Sequence, residues 1–162
     1  MLSATHFHAI VVHFPIALLM VGFASELFGR LSGRSFFSRM GFYLLLLGTA
    51  GAVVSYLSGD AAGEGMEEGS LEAAVEEHEE SALVTLILAL ATSALYGWNA
   101  WRANTPGWSG WLGVLLFATT IVSLGVTGYY GGQLVYRHGA GVELMLPDLA
   151  PEKPGQGEDD DD

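Results

Sequence analysis

The chain has 162 residues, of which 51% are hydrophobic and only 15% are charged, and its mean hydropathy is +0.39. So few charges are typical of a membrane protein, because soluble domains contain about one charged residue in four. The absence of cysteine excludes disulfides, iron–sulfur clusters and thioether-linked haem. The net charge of −12 argues against nucleic acid as a partner, since binding it requires basic patches.

Four apolar segments divide the chain, and each has about the 20 residues that a helix needs to cross a bilayer. They cover residues 9–28, 39–58, 81–101 and 111–131. The sequence therefore predicts an all-α fold, a four-transmembrane-helix bundle in up-down-up-down order within a domain of residues 1–149. An acidic loop joins the second and third helices. The acidic C-terminal tail, residues 150–162, is predicted to be disordered.

Three local features refine these helices. Glu26 lies near the end of the first helix and is expected to face the membrane interface. The second helix is expected to end at Ser58-Gly59-Asp60, where a turn follows. Helix-forming residues from Ser70 to Glu77 predict that the third helix begins before it enters the membrane.

The distribution of basic residues predicts the orientation of the bundle. The first and third connections contain or adjoin Arg30, Arg34, Arg39 and Arg102. The opposite side has only Arg137 and Lys153. Because short cytoplasmic connections are rich in Arg and Lys, we expect both termini and the acidic loop to lie outside. The tryptophans at 98, 101, 108 and 111 are expected to form an aromatic belt at the cytoplasmic interface.

Four histidines are predicted to meet near the outer end of the bundle. His8 and His13 open the first helix, His78 precedes the third, and His138 follows the fourth. An ionisable side chain within a membrane segment is a candidate functional residue, because its burial there is costly. The fifth histidine, His6, is expected to precede the membrane.

Helical phase predicts where these side chains point. His13 shares a face with Ala17, Met20 and Ala24, since residues three, four and seven apart align on a helix. Small side chains favour close helix packing in membranes, so we expect the histidines to point into the bundle. His8 lies about 140° around the helix from His13 and is not expected to share a metal ion with it.

Several histidines in a helical bundle without cysteine favour haem b as the cofactor, in one or two copies. Haem iron accepts imidazole nitrogens on its two faces, and facing helices can supply them. We expect His13 to pair with His78 or His138, and His8 to belong to a second pair if two haems bind. Arg137 is a candidate partner for a haem propionate.

Two alternatives remain open at this stage. A copper or zinc site could use His78 with the neighbouring carboxylates of Glu76, Glu77 and Glu79, since imidazole suits both metals. Alternatively, the histidines form only a polar network in a structural or assembly subunit. In each case a non-catalytic subunit is a better description than an enzyme.

Two motifs, residues 8–18 (HAIVVHFPIAL) and residues 131–142 (GGQLVYRHGAGV), resemble the signatures of the membrane-domain family DUF2231. The resemblance covers about residues 6–145 and implies a small four-helix domain in the bacterial inner membrane. Members also occur fused or adjacent to cytochrome c-type modules, which implies a subunit of a membrane electron-transfer complex. The resemblance makes His8, His13 and His138 the expected functional positions, but it does not identify the cofactor.

The acidic loop and tail suggest a soluble partner. Eight glutamates lie in or beside the loop, at positions 64, 67, 68, 72, 76, 77, 79 and 80. Such a charged surface steers basic proteins toward it, and a basic cytochrome c is the expected candidate. Solubility, or fitting against other subunits, is the alternative explanation.

Overall fold

The computed structural model describes residues 3–63, 71–102 and 107–140, and these residues are entirely helical or in short turns. The helices are α1 (Ala4–Val11), α2 (His13–Ser32), α3 (Ser35–Gly63), α4 (Glu72–Trp101) and α5 (Gly107–His138). With α1 and α2 taken as one span, four helices are long and apolar enough to cross a membrane. The predicted fold class, an all-α bundle with four membrane spans, is confirmed.

The first span is interrupted at Val12, between α1 and α2. Pro15 explains the interruption, because it has no backbone N–H and its ring clashes with the carbonyl four residues earlier, that of Val11. Ser3 begins the span: its hydroxyl accepts a 3.2 Å hydrogen bond from the backbone N–H of His6. The span thus starts before the predicted residue 9.

The other helices also extend beyond their predicted bounds. The prediction that the second helix ends at Ser58–Asp60 is wrong, because α3 continues to Gly63. The prediction of an early start for the third membrane helix is confirmed, because α4 begins at Glu72. The predicted disorder of residues 150–162 lies outside the described residues.

Close packing of glycines joins α2 to α3. A Cβ atom added at Gly41 would lie 2.8 Å from the carbonyl oxygen of Gly22, and one at Gly48 would lie 2.8 Å from Cγ of Leu19. Because membrane helices gain stability from close packing, these glycines determine which face of α2 is buried. That face carries Pro15, Leu19, Gly22, Glu26 and Gly29.

The prediction that His13 points into the bundle is therefore wrong. His13, Ala17, Met20 and Ala24 form an exposed face of α2. The alanines are small, but the glycines on the opposite face of the helix allow a closer approach to α3. The face predicted for His78 is correct, since Thr85, Ala89 and Thr92 are buried on the inner side of α4 and His78, on the same face, is half-buried.

Hydroxyl groups connect α4 to its neighbours. Thr85 lies 2.7 Å from the hydroxyl of Ser123, and Thr92 lies 3.0 Å from that of Thr120. Thr49 of α3 lies 2.9 Å from the hydroxyl of Ser93. Interhelical hydrogen bonds of this kind stabilise membrane bundles modestly, by about 0.6 kcal/mol each on average.

The prediction that Glu26 faces the interface is also wrong. Its side chain is 1% exposed and forms an ion pair with Arg30, one turn later on α2. The phenol of Tyr96 on α4 donates a second hydrogen bond to the same carboxylate oxygen. The carboxylate is buried because two donors replace its hydration.

The bundle has two distinct ends. The histidine end carries α1, the end of α3, the start of α4 and the end of α5, and it includes His8, His78 and His138. The arginine end carries the opposite helix termini, with Arg30, Arg34, Arg39 and Arg102. The four tryptophans lie at the arginine end, where each is at least 49% exposed, as an interfacial belt requires.

Candidate cofactor site at the histidine end

His8 is half-buried on α1 and is held by two serines of α3. Its Nδ1 atom lies 3.0 Å from Oγ of Ser58, and that hydroxyl donates a 3.0 Å hydrogen bond to the carbonyl oxygen of Ser55. Since the Ser58 proton is already used, Nδ1 of His8 is the donor to Ser58.

His78 is half-buried on α4 and is held by α5. Its Nδ1 atom lies 3.2 Å from the backbone carbonyl oxygen of Thr127. A carbonyl can only accept, so Nδ1 of His78 carries the proton. The two histidines thus have equivalent arrangements, one on the α1–α3 pair and the other on the α4–α5 pair.

This tautomer leaves Nε2 of each neutral ring with a free lone pair. Histidines that ligate a metal through one nitrogen almost always donate the other N–H to a carbonyl, carboxylate or similar acceptor, which orients the ring. His8 and His78 both show that arrangement. They also lie close enough to interact electrostatically, so two oriented lone pairs are available in one region of the bundle.

A glycine supports each ring. A Cβ atom added at Gly59 would lie 2.9 Å from Cε1 of His8, and one added at Gly131 would lie 3.1 Å from Cε1 of His78. A side chain at either position would displace the ring that rests on it. The glycines therefore let the Cε1 atom of each imidazole come close to the neighbouring helix.

Ser55 has a buried hydroxyl without a partner among the described residues. Its side chain is 8% exposed and lies one helical turn before Gly59 on α3. Buried hydroxyls normally form hydrogen bonds, so an unpaired one indicates a missing partner such as a water molecule or a bound group. This second observation, independent of the histidines, points to the same region.

The remaining predicted ligands are exposed and are not anchored as His8 and His78 are. His13 is exposed on α2, and His138 is exposed at the last residue of α5. His138 borders a shallow groove of about 200 Å³ that is also lined by Glu77 of α4. Arg137 is exposed beside it, and His6 is exposed and bonded to Ser3.

A metal site of three or more protein ligands is not formed within residues 3–63, 71–102 and 107–140. Glu76 and Glu77 are exposed on α4, and the Glu79 carboxylate packs against Gly63 of α3. The described carboxylates therefore do not complete a ligand set around His78.

Sequence reasoning identified His8 and His78 but missed the groups that orient them. The sequence predicts a helix end at Ser58 and Gly59, although both lie within α3. Thr127 contributes its backbone carbonyl, which no residue type reveals. The sequence feature that indicates these orienting groups is the four-residue spacing of Ser55 and Gly59, because it places both on one helical face.

The fold and the paired histidines define a four-span helical membrane protein with a polar site at one end of the bundle. The chain belongs to the family described as predicted membrane protein, DUF2231, whose model matches residues 4–144. No curated protein and no solved structure matches the chain.

Proposed function

We propose that this chain is a cytochrome b-like electron-transfer subunit that binds haem b between His8 and His78. The observation that carries the proposal is the shared anchoring of the two rings: each uses Nδ1 for a hydrogen bond to a neighbouring helix. Haem supplies reversible one-electron chemistry at its iron. The chain's own groups orient the two imidazoles.

The packing of the helices supports this position for a flat group. Among the described helices, α1 packs on α3 and has at most marginal contact with α4 and α5. His8 and His78 thus stand on helices that have at most marginal direct contact with each other. A group bound by both rings would connect them, and the unpaired hydroxyl of Ser55 lies in the same region.

The proposal favours one haem over two. A second haem would need His13 or His138, and both side chains are exposed. The pairing of His13 with either histidine stays a prediction that the packing does not favour. Arg137, exposed at the end of α5, remains the proposed partner of a propionate.

We propose further that the histidine end faces the outside of a bacterial inner membrane, with both termini outside. The arginines at the other end support this orientation. Exposed glutamates at the start of α4 then face a soluble partner: Glu72, Glu76, Glu77 and Glu80. A basic cytochrome c, and other subunits of an electron-transfer complex, are the proposed partners.

One observation favours a second candidate, a structural or assembly subunit without a cofactor. Each histidine already joins two helices by a hydrogen bond, α1 to α3 and α4 to α5. Such bonds alone could account for the presence of a histidine in each of two membrane spans. The two candidates differ in what they predict for Nε2, which is a ligand in one and solvated in the other.

An optical spectrum of the purified full chain separates the candidates. The chain is expressed with haem supplied and is extracted in mild detergent. We expect a Soret band that is lost in His8→Ala and in His78→Ala. His6→Ala and His13→Ala are matched controls and should keep it. The proposal would be overturned if the wild-type protein contained no haem. It would also be overturned if both His8→Ala and His78→Ala kept the Soret band.

A further inference from the structure

At the arginine end, an exposed arginine of α3 lies between exposed aromatic rings on the outer side of the helix. Arg39 follows Phe36 by three residues and precedes Tyr43 by four, so the three side chains lie on one face. Phe36 is 63% and Tyr43 is 61% exposed, and Arg39 is exposed between them. Leu47, also exposed, continues this face toward the histidine end. Arg39 therefore lies at the end of an outward apolar surface that faces the membrane.

Arg102 has a similar position at the end of the neighbouring helix, α4. Its backbone N–H donates a 3.1 Å hydrogen bond to the carbonyl oxygen of Trp98, and its guanidinium carbon lies 4.3 Å from the centre of the Trp98 ring. Ile87, about three turns earlier on the same outward face, is exposed as Trp98 is. A guanidinium stacked on a ring keeps the N–H groups at its edge available, and these can bind oxygen atoms.

Neither arginine forms an ion pair within the part of the chain that the structure describes. Residues 27–59 and 81–142, which include both arginines, contain no aspartate or glutamate. Glu26, the acidic residue of α2 at this end, is 1% exposed and is already paired with Arg30. The charges that balance these two exposed arginines must therefore come from outside the helices that carry them. Anionic headgroups attract arginines at a membrane surface, and the planar guanidinium matches the oxygens of a phosphate.

We propose that Arg39 and Arg102 each bind the phosphate of an anionic phospholipid at the membrane surface. The exposed rings beside them, those of Phe36, Tyr43 and Trp98, favour the boundary between headgroups and acyl chains. That depth places both guanidinium groups among lipid phosphates. A soluble acidic protein would not reach rings on the outer sides of membrane helices. The lipid site requires neither a bound cofactor nor a particular orientation of the bundle in the membrane.

Tryptophan fluorescence can test this site, because all four tryptophans of the chain lie at the arginine end. The purified full chain is reconstituted into phosphatidylcholine vesicles with a small fraction of a lipid brominated in its acyl chains, either phosphatidylglycerol or phosphatidylcholine. Bromine quenches tryptophan at short range, so the quenching reports which lipid is concentrated at that end. We expect brominated phosphatidylglycerol to be preferred, by about fivefold for each arginine at low salt. The preference should fall as salt rises.

Arg39→Gln combined with Arg102→Gln should remove most of this preference. Arg39→Lys combined with Arg102→Lys keeps both charges and should retain much of it. Arg137→Gln is the matched control, because Arg137 is exposed at the histidine end, and it should leave the preference unchanged. Equal quenching of the wild type by the two brominated lipids would overturn the proposal. So would a preference that the two glutamines leave intact, or one that Arg137→Gln lowers just as much.

Discussion

Tyr96 on α4 donates a 3.1 Å hydrogen bond to the Glu26 carboxylate on α2, although the two residues are 70 positions apart in the chain. Arg30 pairs with the same carboxylate, and its guanidinium packs on Gly110 of α5. Three helices are thus joined at the arginine end by one buried charge. Breaking such a cluster costs more than a surface ion pair, because it leaves a buried charged group with fewer partners.

The Tyr96–Glu26 bond should contribute measurably to stability. Tyr96→Phe removes the donor but keeps the ring between Phe42 and Phe117. We expect a loss of about 1–2 kcal/mol in the free energy of unfolding, at the upper end for membrane hydrogen bonds. Unfolding by SDS in mixed micelles measures it. Tyr43→Phe, on the exposed surface of α3, is the control. Equal stability of the two variants would show that the bond contributes nothing.

The glycine supports under the histidines can be tested without changing a histidine. Gly59→Ala and Gly131→Ala place a methyl group against the rings of His8 and His78, respectively. Each change should lower haem content, since the ring must shift away from its hydrogen-bond acceptor. Gly132→Ala is the control, because a Cβ there meets no atom within 4 Å. Full haem content in both test variants, at wild-type stability, would place the cofactor elsewhere.

The orientation can be tested by labelling single cysteines, since the chain has none of its own. Ser35→Cys reports on the arginine end and Ala73→Cys on the histidine end, and both positions are exposed. A membrane-impermeant maleimide added to intact spheroplasts should label Ala73→Cys only. Labelling of Ser35→Cys under the same conditions would reverse the orientation and place the histidine end inside.

The exposed glutamates of α4 should accelerate electron transfer to a basic cytochrome c. The rate should fall as salt rises, because the Debye length shrinks from roughly 30 Å at 0.01 M to about 8 Å at 0.15 M. Replacing Glu76, Glu77 and Glu80 with glutamine should reduce the rate at low salt and flatten this dependence. Stopped-flow measurements give both quantities. If neither salt nor these substitutions changes the rate, the glutamates of α4 have no role in docking cytochrome c.

The sequence predicts the class of fold well, because four long apolar segments have few other solutions. It also placed His8 and His78 at one end of the bundle. The sequence does not predict which face of α2 is buried. In a membrane helix both faces are apolar, so hydrophobic periodicity does not distinguish the face of Ala17 from that of Leu19. Only the close approach of Gly22 to Gly41 decides it.

The burial of Glu26 could not be predicted for a different reason. Its position near a helix end is typical of an interfacial residue, and its partner Tyr96 belongs to another helix. The groups that orient the two histidines also lie on other helices, and Thr127 acts through its backbone carbonyl. Such contacts depend on the register of one helix against the next, which apolar segments alone do not specify.

The most direct test of the cytochrome account is the haem content of the purified chain, measured together with its electron paramagnetic resonance spectrum. The account predicts one haem per chain with a low-spin ferric signal, as two imidazole ligands give. His8→Ala and His78→Ala should each abolish that signal, and His13→Ala and His138→Ala should retain it. A low-spin signal that persists in His8→Ala and in His78→Ala but is lost in His13→Ala would contradict the account.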